Sequence, residues 1–342
     1  MTVSYRPMRP KDVRDCVDII AAHPIAGPRY GNAIADLVPA WLNLLSSDGF
    51  CTSLVFEEAK EAEICKLGTI AHVFVSDEFL REAKTPPHFW FGPELAKRVV
   101  QGNSPVLSAR QVCEANTGDG LNMMEWQMTF RGDAVLRTDV RVAGMAAFSE
   151  YLRGYRFKEA VAQVESAARL LRRRDGGWLL WKGPECGYNE FWQDDLDAID
   201  AKPYVIGMTR KLAKARGLSW VSSLFLGYQP PKIGFSRSEQ RLLICAMRGG
   251  TDQELSDELM ISLATVKKTW RSIYDRVSER LPELIPAIDA FADGASGRGR
   301  EKKQHLIAYL HEHPEELRPV SRKALQAGAT QSRRHLHSPA AS

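Results

Sequence analysis

Residues 235–277, FSRSEQRLLICAMRGGTDQELSDELMISLATVKKTWRSIYDRV, contain three helix starts in close succession, and no other stretch leaves the chain so few ways to fold. Ser236 and Glu239 form an S-x-x-E capping box, in which a hydroxyl and a carboxylate each satisfy a free backbone N–H. Arg248-Gly249-Gly250 supplies a basic last turn and a glycine stop. Thr251 and Glu254 repeat the box, so a second helix is predicted to about Leu259. Ser262 then caps a third helix over 264–277. Only Met260, Ile261 and Ser262 separate the last two helices, the short turn of a helix-turn-helix.

The third helix divides by face. Val266, Trp270, Ile273 and Val277 recur at spacings of four, three and four, which makes one apolar stripe and puts Trp270 in the core. Ala264, Lys267, Lys268, Arg271 and Asp275 fall on the other side. Cations just inside a helix of this kind suit the phosphates and base edges of a DNA major groove. Thr265 sits near the helix start, where a hydroxyl and free N–H groups can meet a phosphate oxygen. The predicted DNA-contacting set is Thr265, Lys267, Lys268, Thr269 and Arg271.

This segment resembles the LuxR/GerE-type C-terminal DNA-binding domain. The likeness is carried by Phe235-Ser236 and Glu239, by Gly249-Gly250-Thr251-Asp252-Gln253-Glu254-Leu255-Ser256, by Leu259-Met260-Ile261-Ser262, by Thr265-Val266-Lys267, and by the run from Ile273 to Val277. The resemblance implies a recognition helix in the major groove. Two positions depart from it: Thr269 stands where the family has His, and Ser238 where it has Arg, so an operator preference does not carry over. Such domains commonly pair through a fourth helix. Here 278–291 would supply it, but Pro282 and Pro286 fall inside, so that helix is expected to start late, at Pro286, or to be broken.

The remainder is bounded by composition. A chain of 342 residues has room for two or three domains. Six cysteines without a C-x-x-C pair read as buried free thiols in a reducing compartment. With no long apolar run and no leader-like N-terminus, a cytoplasmic location without membrane contact is expected. The net charge of +4 resides in 293–342, which hold nine Lys/Arg against five Asp/Glu. DNA affinity must therefore come from local faces or the tail. The expected organisation is an N-terminal α+β domain over 1–228, a linker over 229–234, an all-α helix-turn-helix domain over 235–292, and a basic flexible tail over 293–342 with one or two short helices. In that tail 301–312 reads as a helix with Leu306, Tyr309 and Leu310 on one apolar face. Expected partners are double-stranded DNA, RNA polymerase, a small-molecule ligand and a second copy of the chain.

Within 1–228, residues 9–22 and 33–45 read as helices, and 50–56 and 64–75 as a hairpin around an acidic turn at 57–63. Residues 121–130 read as a strand, 155–174 as one long helix, 178–181 and 218–226 as strands, and 205–216 as a helix. The opening YRPMRPKDVRDCVDII resembles the start of a GNAT acetyltransferase fold, in which a strand bearing Arg leads through Pro and Asp into the first helix. Acetyl-CoA binding in that family needs Q/R-x-x-G-x-G/A between strand and helix. The closest stretch, Arg173-Arg174-Asp175-Gly176-Gly177, ends a helix instead, so no cofactor and no acetyl transfer are expected. Neither a Walker sequence nor a nucleophile elbow is present. His311, His313, His335 and His337 lie in polar sequence without Cys partners and read as solvated, not metal-binding. The proline-stiffened run carrying Phe89, Trp90 and Phe91 is the candidate ligand-pocket wall, with a core-plugging crossover as the other reading.

Overall fold

The computed structural model describes residues 3–47, 52–60, 63–192, 203–247, 249–284 and 298–319. The chain divides into two compact units, 1–228 and 229–342, with mixed α and β structure in the first.

In the first unit a short strand, β1 (Val3–Pro7), leads through Pro10–Asp12 into α1 (Val13–Ala22). The Arg and Asp of that opening meet: Arg6 Nη1 lies 2.7 Å from Asp12 Oδ2, which also accepts the Arg9 N–H at 2.9 Å. Then come α2 (Ala26–Tyr30), α3 (Ile34–Ser46), and the hairpin β2 (Thr52–Lys60) and β3 (Glu63–Val75). The acidic stretch expected as a turn continues in strand as far as Lys60. Two of its carboxylates are neutralised sideways, Glu57 by Arg6 and Glu58 by Arg137.

Helices α4 (Asp77–Ala83), α5 (Phe91–Val100) and α6 (Ala109–Thr117) precede β4 (Leu121–Phe130), which leads into α7 (Thr138–Leu152). The long helix expected over 155–174 is instead β5 (Phe157–Val164) followed by α8 (Ala167–Asp175). Val161 and Val164 are β-branched and buried, and Ser166 caps a fresh helix by accepting the Arg169 N–H. After β6 (Leu179–Trp181) and β7 (Tyr188–Asn189), the helix expected over 205–216 is split as well. It is β8 (Tyr204–Thr209) and then α9 (Arg210–Arg216), capped by Thr209. The strand expected over 218–226 is absent. Ser219 and Ser222 bond each other's backbone N–H there, which closes a turn ahead of α10 (Ser223–Leu226).

The eight strands form one sheet in the order β1-β2-β3-β4-β5-β8-β6-β7. Period-two alternation sends Val55 to one face and Leu54 and Phe56 to the other. The larger face buries Trp41, Phe74, Phe91 and Phe157; the smaller packs against Val140, Ala143 and Ala147 of α7. Among the described residues the one parallel strand pair, β4 with β5, is short: registered partners run only from Leu121/Phe157 to Met124/Val161. Beyond Met124, β4 stays hydrogen-bonded to β3 but leaves β5, and the sheet opens.

The named elements of the second unit are helices. They are α11 (Arg237–Ala246), α12 (Asp252–Leu259), α13 (Leu263–Arg280) and α14 (Arg298–Glu312), with 3-10 turns at Pro282–Leu284 and Pro314–Leu317. Helix α13 runs one turn past the expected end, to Arg280, and Pro282 begins a 3-10 turn. A helix starting at Pro286 would lie outside the described residues, as do Arg248, His335 and His337. The apolar stripe Val266, Trp270, Ile273 and Val277 is buried with Leu242, Leu243, Leu255 and Leu259. Leu306, Leu310 and Leu317 join the same core, so the apolar face of α14 is covered by its own chain.

Candidate nucleic-acid interface and ligand cavity

The turn between α12 and α13 is built by Met260, which has φ of +54° and is the one non-glycine residue at positive φ among the described residues. Its N–H and that of Ile261 return to Asp257 and Ser256 carbonyls, and Ser256 Oγ donates to the Ile261 carbonyl at 2.6 Å. The preceding junction depends on Gly249 and Gly250, at φ of +85° and +119°, where a side chain would be strained. Both capping boxes form: Ser236 Oγ accepts from Glu239 N while Glu239 accepts from Ser236 N, and Thr251 and Glu254 do the same. Ser262 Oγ accepts the Thr265 N–H at 3.1 Å.

Glu239 does more than cap. Its buried carboxylate also accepts from Ser272 Oγ at 2.8 Å and Arg276 Nε at 2.9 Å, which ties the start of α11 to α13. Burial alone would raise its pKa. The hydrogen bonds from Ser236, Ser272 and Arg276 outweigh that and hold it below the ordinary range.

These contacts set the orientation of α13. Trp270 faces inward, stacked on Tyr274 at 5.7 Å, with its indole N–H 3.2 Å from Asp252 Oδ1. Lys267, Lys268 and Arg271 face outward, exposed and without an ion-pair partner among the described residues. Arg276 is the contrast, since Glu239 neutralises it. Thr269 turns its hydroxyl back to the Thr265 carbonyl at 2.9 Å, and the Thr265 hydroxyl pairs with Ser262 Oγ at 2.8 Å. In this geometry the three cations carry no internal ion pair among the described residues, and the two threonines are partly engaged with their own helix.

A second site lies in the first unit, where β4 parts from β5. A cavity of about 590 Å³ lies between this opening and the helices α7 and α8. Trp126, Met128 and Phe148 line its apolar wall; His72, Arg169 and Arg173 supply polar surface. Gly92 allows this packing, because a Cβ there would stand 2.2 Å from the Tyr30 hydroxyl, which donates to buried Gln127 at 2.9 Å. Burial pushes the His72 pKa down to about 4, so its ring is neutral at pH 7.

Of the expected pocket residues, Phe91 lines the cavity. Phe89 packs against the core at 5.7 Å from Phe79, and Trp90 lies under the Arg29 guanidinium at 4.9 Å. The sequence reading missed the principal walls, which come from β4, α7 and α8. A single helix over 155–174 leaves no place for β5, the strand from which β4 parts. The Ser166 cap, which starts a fresh helix at Ala167, is the local signal that could have found the break.

No family model matches the chain, nor does any curated protein or solved structure.

Proposed function

We infer that the chain is a DNA-binding transcriptional regulator in which α13 enters the major groove and the first unit senses a small molecule. The observation that carries this reading is the division of α13 into a buried apolar stripe and an outward face of Lys267, Lys268 and Arg271. A three-residue turn to α12 supports it further. Base edges and phosphates are met by unpaired cations on a helix held rigidly from behind, and the Glu239 network provides that support. Selection of bound fragments from random DNA by the full chain is the direct test. An enriched sequence motif supports the reading, and uniform, salt-labile binding to every sequence contradicts it.

A second reading, an acetyltransferase of GNAT type joined to a DNA-binding domain, is favoured by one observation. The gap between β4 and β5 beyond Met124 is a place where an acyl-CoA arm could enter. Against it stands the missing glycine-rich loop, whose N–H groups would hold the pyrophosphate. Calorimetry with acetyl-CoA separates the two: the regulator reading expects no micromolar binding, and micromolar binding promotes the acetyltransferase.

A further inference from the structure

The cavity in the first unit has one pole of positive charge that the protein does not itself neutralise. The lining residues that carry charge at neutral pH are Arg29, Arg141, Arg169, Arg172 and Arg173 against Glu125 and Asp175. Arg141 and Arg172 are exposed, so water screens them. Arg173 Nη2 lies 2.5 Å from Glu125 Oε1, and Arg169 Nη1 lies 2.8 Å from Glu165 Oε1. Arg29 differs. Half-buried, it has no carboxylate partner among the described residues, and its Nε is buried without an acceptor. Burial, together with the like charges of Arg29 and Arg173, lowers the Arg169 pKa against the pull of Glu165. Three guanidiniums thus share one wall with only two carboxylates between them.

Beyond that pole the cavity is aromatic, with Trp126, Phe148, Trp178 and Trp220 on its walls and Phe148 stacked on Trp220 at 4.0 Å. Two polar atoms stand among these rings without a partner: Trp178 Nε1 and His72 Nδ1, on residues 1 % and 3 % exposed. An indole N–H can only donate, and a neutral imidazole can donate or accept. Both nitrogens lie below the cavity surface, which therefore presents aromatic faces to a ligand.

We propose that this cavity binds an amphipathic organic anion, a single carboxylate on an aromatic body, with the carboxylate held by Arg29 and Arg169. The aromatic body lies against Trp126 and Phe148. A neutral apolar molecule would leave the Arg29 guanidinium unpaired. A carboxylate completes it with charge-assisted bonds in a fork that matches its own geometry. The volume falls within the roughly 300–1,000 Å³ typical of small-molecule sites. This inference rests on the reading of the first unit as the sensing half of a regulator, and it names the class of molecule sensed.

The test is calorimetry on the full chain with a matched pair of probes, 1-naphthaleneacetate and its neutral amide. The anion is expected to bind one per chain, at least tenfold more tightly than the amide. Arg29→Gln removes no internal ion pair, and it should bring the affinity for the anion down to that for the amide. Arg169→Gln should act likewise and Arg169→Lys should restore part of the preference, which separates charge from packing. Circular dichroism confirms that each variant is folded. Equal affinity for the two probes, binding of neither, or an undiminished preference in Arg29→Gln overturns the proposal. Gel shifts on the same preparation keep the two ideas apart. Anion preference without DNA binding upholds this site and removes the regulator reading; DNA binding without anion preference does the reverse.

Discussion

At the scale of single residues, two positions decide how α13 is presented. Met260 occupies a left-handed conformation that costs an L-residue about 1–2 kcal/mol, part of which glycine would recover despite its larger entropy loss. Its side chain is exposed, so Met260→Gly removes little packing. Thermal denaturation should show the second unit stabilised by about 0.5–1 kcal/mol; a lower melting temperature would show that Met260 makes contacts that matter. Glu239 should behave in the opposite way. Glu239→Ala removes a helix cap and two links to α13, and a loss of about 2–4 kcal/mol is expected. The native pKa of Glu239 lies below its unfolded value, so its contribution is present above about pH 4.3 and is lost as the pH falls further. Urea titrations of both proteins between pH 3 and 7 test this. The stability gap should be constant at neutral pH and should shrink below pH 4; a gap that widens on acidification contradicts the assignment.

At the scale of elements, legibility follows the kind of signal. The three helices of 235–277 were readable because capping boxes, glycine stops and a single apolar stripe all agreed. Residues 121–130 were readable as a strand from their near-continuous apolar run. Residues 155–174 were not, because FKEAVAQV carries a helix-compatible pattern and only pairing with β4 and β8 makes it a strand. Residues 204–209 failed for a related reason. Gly207 looks like a helix weakness, but it is required where the Tyr188 ring lies flat on the strand, 2.5 Å from where a Cβ would stand. The Tyr188 hydroxyl donates to Glu159 at 2.6 Å, and Lys84 Nζ lies 2.8 Å from the same oxygen. These long-range contacts fix the strand and leave no local trace. Gly207→Ala should therefore lose about 1–3 kcal/mol in the first unit by overpacking, measured by chemical denaturation, although alanine suits a helix better than glycine does. A stabilised variant would mean that the strand is wrongly placed.

At the scale of the whole chain, two units with separate cores account for the described residues. The second unit reaches further than its helix-turn-helix segment. Glu316 accepts the backbone N–H groups of Lys232 and Ile233 at 2.9 and 3.0 Å, so the stretch before α11 is pinned by residues beyond α14. Leu306 and Leu310 are fully buried, and Leu306→Ala should cost about 2–4 kcal/mol in the second unit's unfolding alone. A calorimetric scan in which the first unit's transition moved equally would contradict the division into separate cores. The same burial removes the apolar face of α14 from the surfaces a second copy could use.

On the proposed function, the outward cations of α13 bind DNA. The measurement that tests it most directly is a gel-shift titration of the full chain and its Lys267→Ala/Lys268→Ala/Arg271→Ala variant on a selected DNA site, at two salt concentrations. The variant should keep its fold, because none of the three side chains has an ion-pair partner among the described residues. It should lose specific binding, and the slope of log affinity against log salt should flatten by roughly one for each phosphate contact removed. Unchanged affinity and an unchanged salt slope in the folded variant would contradict the account.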